Sequence, residues 1–367
     1  MLWGTHLWRA GLLVVLCSAA LAQSTVTEFS SGLTVGSSPA GIVAAPDGAL
    51  WFTEFNGNKI GRITTAGSIG EYSGLTGSGP VGIVVGPDGA LWFTECYNNI
   101  NANSIGRITT AGLLSEYSAN LTTYSCPYGI AVGSDGALWF TEYSGNQIGR
   151  ITTAGVITEF FTGMSTSAGP EYIAAGSDGA LWFTEFNLGR IGRITTAGVI
   201  TEYSLASGSN PVGIAAGPDG ALWFTEFSAN RIGRITTAGA ITEYSGLTAS
   251  SSPEFITVGP GGALWFTEWN GNRIGRITTA GVVTEYSGLT AHSDPWGIAP
   301  GSDGTLWFAE SSSTGSRIGH FALSPPTPAP VPTLSQWGLL LLALLLTGAA
   351  GVELHRRTRR GGVRTRN

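Results

Sequence analysis

One five-residue segment, Leu-Trp-Phe-Thr-Glu, recurs along most of the 367-residue chain and limits its possible folds more than any other feature. Successive copies are 41 to 47 residues apart, and the last copy reads Leu-Trp-Phe-Ala-Glu. Apolar and aromatic runs with a period of about 40–45 residues, separated by Gly turns, are typical of a β-propeller. The tryptophans of the seven copies are Trp51, Trp92, Trp139, Trp182, Trp223, Trp265 and Trp307.

Each copy contains four strand-like pieces, which predicts four-stranded blades. The pieces mix β-branched and aromatic residues, and Gly-Pro-Asp-Gly and Thr-Ala-Gly turns separate them, as in sheets buried on both faces. These two turns barely change among the copies and are expected at one face of the propeller. The loops expected at the other face vary, and varied loops on a rigid scaffold favour binding. In the fifth copy the pieces are Gly213–Ala216, Leu222–Phe227, Arg231–Thr236 and Ile241–Tyr244.

The two ends of the array predict how the propeller closes. The fourth-strand motif first occurs at Thr27–Phe29, before any complete copy, and the seventh copy ends at Arg317–Leu323 without such a strand. The N-terminal strand is therefore expected to complete the last blade, which removes two exposed sheet edges. The fold expected for residues 23–323 is an all-β, seven-bladed propeller of four-stranded blades.

The charge of this repeat region excludes one class of partner. Between residues 23 and 323 there are 11 Lys and Arg against 23 Asp and Glu, which gives a formal net charge of −12. Nucleic-acid phosphates require a positively charged surface, so we expect no nucleic-acid partner.

The first 22 residues have the form of a secretory signal peptide. Arg9 precedes an apolar run, and Ala20-Leu21-Ala22 ends it before Gln23. Export would place the two remaining cysteines, Cys96 and Cys126, in an oxidising compartment. The sequence leaves open whether they form a disulfide or remain two unpaired small residues.

The composition changes after Leu323. Residues 324–333 are rich in proline and predict a stiff extended linker, and residues 334–367 contain an apolar segment followed by arginines. We expect 337–352 to form a hydrophobic helix in the inner membrane, with the arginine tail cytoplasmic. The Val-Pro-Thr-Leu…Trp-Gly motif, the apolar segment and the arginines together resemble the IPTL-type C-terminal sorting signal. That resemblance implies a Gram-negative envelope protein that an exosortase-type membrane enzyme processes; a permanent single-span anchor is the alternative.

Charges that recur in every copy are predicted to be structural, because an active site requires asymmetry. We expect the third-strand arginines to pair with the glutamates of the adjacent fourth strand. The second-strand glutamates are Glu54, Glu95, Glu142, Glu185, Glu226, Glu268 and Glu310. The fourth-strand glutamates are Glu28, Glu71, Glu116, Glu159, Glu202, Glu243 and Glu285. The third-strand basic residues are Arg62, Arg107, Arg150, Arg193, Arg234, Arg276 and, in the seventh copy, His320.

The repeat itself points to a family. The run Gly-Pro-Asp-Gly-Ala-Leu-Trp-Phe-Thr-Glu, followed by Ile-Gly-Arg-Ile-Thr-Thr-Ala-Gly and Thr-Glu-Tyr, closely resembles the virginiamycin B lyase (streptogramin lyase) family over residues 25–323. The resemblance implies a seven-bladed propeller that opens a cyclic depsipeptide antibiotic at its ester by Mg²⁺-assisted elimination. It also implies that the working Tyr, Glu and two His residues stand in the Pro-x-Gly-Ile segments that begin the innermost strands.

This chain departs from that set of residues. Ala40 replaces the Tyr, Glu254 replaces the first His, and Trp296 replaces the second, while Asp294 keeps an acid. Elimination requires a base and an acid, and a Trp side chain provides neither. We therefore predict that activity by the family's mechanism is lost.

Two functions remain open. The first is an envelope-displayed binding or scaffolding propeller, a monomer with a small molecule, glycan or protein ligand at its channel mouth. The second is a lyase or hydrolase that acts on a small cyclic substrate through Glu254 and Asp294, with Mg²⁺ as cofactor if the lyase activity persists. A solvated channel rim without function is the third reading. The candidate residues at the mouth are Tyr128, Glu171, Glu254, His292, Asp294 and Trp296.

Overall fold

The computed structural model describes residues 24–77, 79–96, 103–312 and 315–323. In these ranges 28 strands form seven antiparallel, four-stranded sheets. The predicted signal peptide (1–22), the linker (324–333) and the C-terminal segment with its hydrophobic helix (334–367) lie outside them. Within the described part of the chain, no helix has the length and hydropathy needed to cross a membrane.

Each sheet is one blade. In blades 1 to 6 the four strands follow one another in the chain from the axis outward, and in blade 7 the N-terminal strand is outermost. Blades 1 to 3 contain β2 (Pro39–Ala44), β3 (Leu50–Glu54), β4 (Lys59–Ile63), β5 (Ile69–Tyr72); β6 (Pro80–Val85), β7 (Leu91–Glu95), β8 (Ser104–Ile108), β9 (Leu114–Tyr117); and β10 (Pro127–Val132), β11 (Leu138–Glu142), β12 (Gln147–Ile151), β13 (Ile157–Phe160). Blades 4 and 5 contain β14 (Pro170–Ala175), β15 (Leu181–Glu185), β16 (Arg190–Ile194), β17 (Ile200–Ser204); and β18 (Pro211–Ala216), β19 (Leu222–Glu226), β20 (Arg231–Ile235), β21 (Ile241–Tyr244). Blades 6 and 7 contain β22 (Pro253–Val258), β23 (Leu264–Glu268), β24 (Arg273–Ile277), β25 (Val283–Tyr286); and β26 (Pro295–Pro300), β27 (Leu306–Glu310), β28 (Arg317–Leu323), completed by β1 (Ser24–Phe29).

The predicted closure is confirmed. The N-terminal strand β1 pairs with β28 in antiparallel register, with Phe29 opposite Ile318 and Ser24 opposite Leu323. The seventh sheet therefore has the order β1-β28-β27-β26. Because the first and last strands share one blade, the array is a closed ring of seven four-stranded units.

Strand register defines two faces. At one end of blade 1, Pro39 pairs with Glu54, and Glu54 pairs with Lys59. We call this end, with the linkers between blades, the loop face. At the other end the Pro-Asp-Gly turn closes through Ala45, and the Thr-Ala-Gly turn closes through Thr64. We call this end the turn face. Every blade follows the same plan, except that blade 7 has no Thr-Ala-Gly turn because β1 supplies its fourth strand.

The core lies between neighbouring blades and repeats with them. The second-strand Trp and Phe are fully buried in every blade. In blade 1 the Trp51 ring stacks on Tyr72 at 5.1 Å between ring centres, and a Cβ on Gly61 would lie 2.1 Å from the Phe52 ring. The third-strand glycine is thus required by packing, since protein cores leave no room for such an overlap.

The recurrent third-strand arginines do not pair with the fourth-strand glutamates, so that prediction is wrong. In blade 4, Arg193 Nε donates to Asp178 Oδ2 of the Pro-Asp-Gly-type turn at 2.7 Å, and Trp182 Nε1 donates to the same carboxylate at 3.1 Å. Burial alone would raise the pKa of Asp178, but these hydrogen bonds hold it below its ordinary value. We call this Asp–Trp–Arg arrangement the turn lock. It recurs at Asp47, Asp88, Asp135 and Asp219, and with His320 at Asp303.

The fourth-strand glutamates instead hold the linkers of the loop face. Glu285 accepts hydrogen bonds from the backbone amide of Thr248, at 2.7 Å, and from its hydroxyl, at 2.5 Å. Some of these glutamates also meet a basic residue at the start of the third strand, as Glu202 meets Arg190 at 2.6 Å. The recurrent charges are therefore structural, as predicted, although their partners differ.

The second-strand glutamates are fully buried beneath these contacts. Burial, and then the charge of the neighbouring Glu71, raise the pKa of Glu54 to about 8. Burial, and then the charge of Glu28, raise the pKa of Glu310 to about 9. Such carboxyls carry a proton at neutral pH, which removes the cost of burying a charge.

The two cysteines, whose state the sequence left open, are joined as a disulfide. Cys96 follows β7 and Cys126 precedes β10, so the Cys96–Cys126 bond links blades 2 and 3 at the loop face. Both residues are buried and pack with Val81.

Candidate functional site

The innermost strands bring the varied residues of the repeat to one place. In β2, Pro39 pairs with Glu54 and Ile42 with Phe52, so two residues of the inner strand stand opposite one residue of the second strand. The same register shift occurs in all seven inner strands. A β-bulge of this kind redirects side chains and is frequent beside functional sites.

A threonine hydroxyl fixes the bulge of one blade to the next. Thr225 Oγ1 accepts a hydrogen bond from the amide of Gly213 at 2.8 Å and donates to the carbonyl of Glu254 at 2.6 Å. Thr267 donates in the same way to the carbonyl of Trp296. Blade 7 has Ala309 at this position, so it has no hydroxyl to offer the bulge of blade 1.

Two residues that the sequence analysis missed fill much of the channel. In five blades the third inner-strand residue is Gly, and a Cβ there would lie 2.3–2.6 Å from the next blade's carbonyl oxygen. Blades 4 and 6 carry Tyr172 and Phe255 instead, and their rings meet edge to face at 4.4 Å between centres. Together they line a central cavity of about 80 Å³. The loss of Gly from the Pro-x-Gly-Ile pattern was the signal that could have identified them.

Aromatic side chains from several blades converge around these two. Trp296 Nε1 donates to the hydroxyl of Tyr172 at 3.3 Å, which joins blade 7 to blade 4 across the channel. The Tyr128 ring meets Tyr172 at 5.3 Å, and Trp269 meets Trp296 at 5.6 Å. We call this cluster the aromatic mouth; its members are Phe55, Tyr128, Tyr143, Tyr172, Phe255, Trp269 and Trp296.

Two carboxyl groups belong to this cluster, and burial shifts both of them toward the neutral form. Burial raises the pKa of Glu254 to about 8. Burial, and then the charge of Glu254, raise the pKa of Glu171 well above its ordinary value. The same two effects of burial and nearby carboxylates raise the pKa of Tyr128. Burial thus favours the neutral forms of these groups, in a site that offers aromatic faces and O–H donors.

The structure separates the candidate residues into two groups. Tyr128, Glu171, Glu254 and Trp296 lie together at the mouth. Ala40 is fully buried and offers no functional group. His292, exposed, and Asp294, half-buried, lie in the linker before β26, and both have positive φ.

The mouth does not fit the Mg²⁺ that the family resemblance implies. Mg²⁺ prefers ionised oxygen ligands in octahedral geometry. In the ranges that the structure describes, no three His, Cys, Asp or Glu side chains converge as metal ligands. Burial favours the neutral forms of Glu171 and Glu254, and aromatic rings surround them, so they are poor ligands for a hard cation.

A closed ring of seven blades whose bulged inner strands carry the varied residues to one channel mouth defines the class, a seven-bladed β-propeller. The chain belongs to the virginiamycin B lyase family, whose model matches residues 19–164 and 96–318. A second model, the IPTL-CTERM motif, matches residues 329–360. A search of curated proteins found no match.

Solved structures support the same assignment. A streptogramin B lyase is 40% identical and superposes with a TM-score of 0.76, covering 83% of this chain and 99% of its own. Virginiamycin B lyase from Staphylococcus aureus, in its selenomethionine form, is 41% identical with a TM-score of 0.75, covering 82% of this chain and 100% of its own. A catalytically inactive histidine-to-alanine variant of that enzyme with quinupristin is 42% identical, with a TM-score of 0.74 and coverage of 82% and 100%.

Proposed function

We propose that this protein is an envelope-associated binding propeller that holds a neutral, ring-shaped small molecule at the aromatic mouth. The observation that carries this proposal is the hydrogen bond from Trp296 Nε1 to the Tyr172 hydroxyl. Trp296 occupies a position where the family resemblance implies a catalytic histidine. An indole ring has no basic nitrogen for proton transfer, but its faces stack well on other rings.

The chemistry of the mouth selects the ligand class. In their neutral forms, which burial favours, Glu171 and Glu254 can donate hydrogen bonds, and the surrounding rings can stack on apolar faces. A sugar, or a cyclic peptide with ester and amide carbonyls, offers both acceptors and a ring face. A multiply charged ligand would instead find no counter-charge there.

The proposed cellular location rests on the C-terminal segment. The IPTL-CTERM match at 329–360 supports export, retention in the cell envelope and processing by an exosortase-type enzyme. A monomer is sufficient for this role, since all parts of the mouth come from one chain.

Binding tests the proposal directly. Calorimetric titration of the purified protein with quinupristin and with neutral oligosaccharides should give saturable binding to one of these classes. Trp296→Ala should weaken that binding about tenfold or more, because it removes a stacking ring and a hydrogen bond. Phe161→Ala is the control, since Phe161 is an exposed aromatic residue on a linker outside the mouth. Equal affinity of the Trp296→Ala variant would overturn the proposal.

One observation favours a second function, catalysis. Glu254 has a pKa of about 8, and a group that titrates near neutral pH suits general acid–base chemistry. A ring-opening assay with a streptogramin B substrate and Mg²⁺ separates the two functions. Turnover that Glu254→Gln abolishes would establish an enzyme rebuilt on carboxylates. Lack of turnover in the wild type and in the Glu254→His, Trp296→His double variant would leave the binding function.

A further inference from the structure

The two faces of the propeller carry different charge. The turn face holds six Asp, six Arg and His320, which balance. The loop face holds the other 17 acidic residues and five basic ones, so the formal charge of −12 belongs entirely to it. When the seven glutamates whose pKa is raised to about 7–9 are counted as neutral, the loop face still has ten acidic residues against five basic ones. The turn face is therefore neutral and the loop face acidic.

The charges of the turn face are also satisfied within the fold. Five arginines donate to the turn aspartates at 2.7–2.8 Å, and the His320 ring lies 3.7 Å from Asp303. Arg276, whose turn has no Asp, lies over the Trp265 ring at 5.8 Å. Paired charges of this kind lose less on leaving bulk water than isolated ones.

Apolar side chains stand out from the turn face at one repeated position. The residue after the Gly of the Thr-Ala-Gly turn is 58–67% exposed in four blades. On the loop face, by contrast, the large exposed apolar residues occupy unrelated positions in linkers and loops; they are Val35, Tyr124, Phe161 and Leu188. The four turn-face residues are Leu113, Val156, Val199 and Val282.

The propeller's chain ends emerge at the same face. The strand β28 runs from the loop face to the turn face and ends at Leu323, paired with Ser24. The apolar segment begins at Trp337, so 13 residues separate it from the propeller. An extended chain of that length reaches at most about 45 Å. A membrane at the loop face would require this proline-rich linker to run back along the whole blade.

From these observations we infer that the turn face docks on the surface of a lipid bilayer, with Leu113, Val156, Val199 and Val282 entering the headgroup region. Exposed apolar side chains on an uncharged face suit that region, whereas anionic lipids repel the acidic loop face. This leaves the aromatic mouth open to solvent on the far side. The inference goes beyond ligand binding and depends on the envelope location proposed above.

Depth-dependent quenching in vesicles tests the inference. The full chain, with Cys17→Ser, is reconstituted into phosphatidylethanolamine vesicles containing a minority of phosphatidylglycerol and nitroxide-labelled lipid. A fluorophore is attached at Val199→Cys on the turn face or at Phe161→Cys on the loop face. These two sites are matched controls, since the native residues are 61% and 66% exposed. The label at position 199 should be quenched at least about threefold more strongly than the label at position 161, because only the turn face meets the lipid.

A second variant shows whether the apolar residues cause the docking. Replacing Leu113, Val156 and Val282 with Ser should reduce the difference between the labels without lowering the melting temperature, since all three are exposed. If the chain floats with the vesicles but both labels are quenched equally, or the Phe161 label more strongly, the inference that the turn face docks is wrong. The proposed membrane retention would then still stand. A chain that does not float with the vesicles would overturn both the docking and the proposed membrane retention. Neither result would alter ligand binding at the mouth.

Discussion

The two faces of the propeller are built from the ends of the same strands, yet they follow different rules. At the turn face, one Asp in each of six blades accepts a hydrogen bond from a Trp; five of them also accept one from an Arg, and the sixth lies 3.7 Å from His320. At the loop face, each linker is held by a glutamate, while the residues that reach the channel differ from blade to blade. Repetition therefore marks what closes a blade, and departure from repetition marks what fills the channel mouth.

The faces should also respond to pH in opposite directions, which is the largest effect we expect. The pKa of Glu54 is about 8 and that of Glu310 about 9, against 4.5 in an unfolded chain. The folded state therefore holds protons that the unfolded state releases, so this stability is complete below pH 4.5 and lost as pH rises through 8–9. The turn aspartates have lowered pKa values, so their contribution is present above pH 3.8 and lost in acid. The unfolding free energy should therefore fall between pH 5 and pH 9, by about 1.4 kcal/mol for each pH unit over which one such glutamate is protonated only in the folded state.

Denaturant titrations at pH 5, 7 and 9 measure this slope. Glu310→Gln cannot ionise, so it should make the decline between pH 5 and pH 9 shallower. Asp303→Asn, on the turn face, should leave that decline unchanged and alter stability only in acid. Stability that rises from pH 5 to pH 9 would show that the second-strand glutamates are ionised in the folded protein.

The sequence predicted the propeller scaffold well because the same strand and turn pattern occurs in seven copies. Period, blade number and closure through Thr27–Phe29 all follow from positions that the repeat aligns. The partner of Arg193 was predicted wrongly, because strand adjacency suggested Glu202, whereas Asp178 lies 15 residues earlier in a turn that folds back beside it. Single-copy features are harder: nothing in the spacing of Cys96 and Cys126 shows that blades 2 and 3 bring them together.

The same contrast applies to the mouth. Tyr128, Glu171, Glu254 and Trp296 could be located because each occupies the second position of a recognisable Pro-x-Gly-Ile segment. The pKa shifts of Tyr128, Glu171 and Glu254 could not be predicted, because the burial that causes them depends on rings from other blades.

The disulfide stabilises the loop face where the repeat offers no equivalent. Cys96 and Cys126 are 30 residues apart, so the bond should contribute about 3–4 kcal/mol by restricting the unfolded chain. Reduction of the wild type should lower the denaturation midpoint accordingly. The Cys96→Ala, Cys126→Ala variant is the control, since reductant should leave it unchanged. Two free thiols in non-reducing mass spectrometry would contradict the bond.

A single turn lock should matter less than the disulfide. Asp178→Ala removes the acceptor for Trp182 Nε1, Arg193 Nε and the Ala180 amide, so we expect a loss of about 1–2 kcal/mol in unfolding free energy. Ser177→Ala, in the same turn, removes only an exposed hydrogen bond to Gly220 and should cost less than about 0.5 kcal/mol. Equal losses in the two variants would mean that the lock adds nothing to the turn.

The turn of blade 6 has no Asp and therefore no turn lock. Adding one should give the smallest of the expected effects, a gain of stability. Its turn, Pro260–Gly262, is a short 3-10 segment in which Gly261 has φ 74°, and Trp265 Nε1 donates to the Pro260 carbonyl at 3.3 Å. Gly261→Asp would supply the carboxylate that other blades present to Trp and Arg, and Asp tolerates positive φ better than most residues. We expect a gain of about 0.5–1 kcal/mol in unfolding free energy, whereas Gly261→Ala should lose a similar amount because it adds strain without an acceptor. If the Asp variant were no more stable than the Ala variant, the lock would depend on a turn geometry that blade 6 cannot adopt, and not on the carboxylate alone.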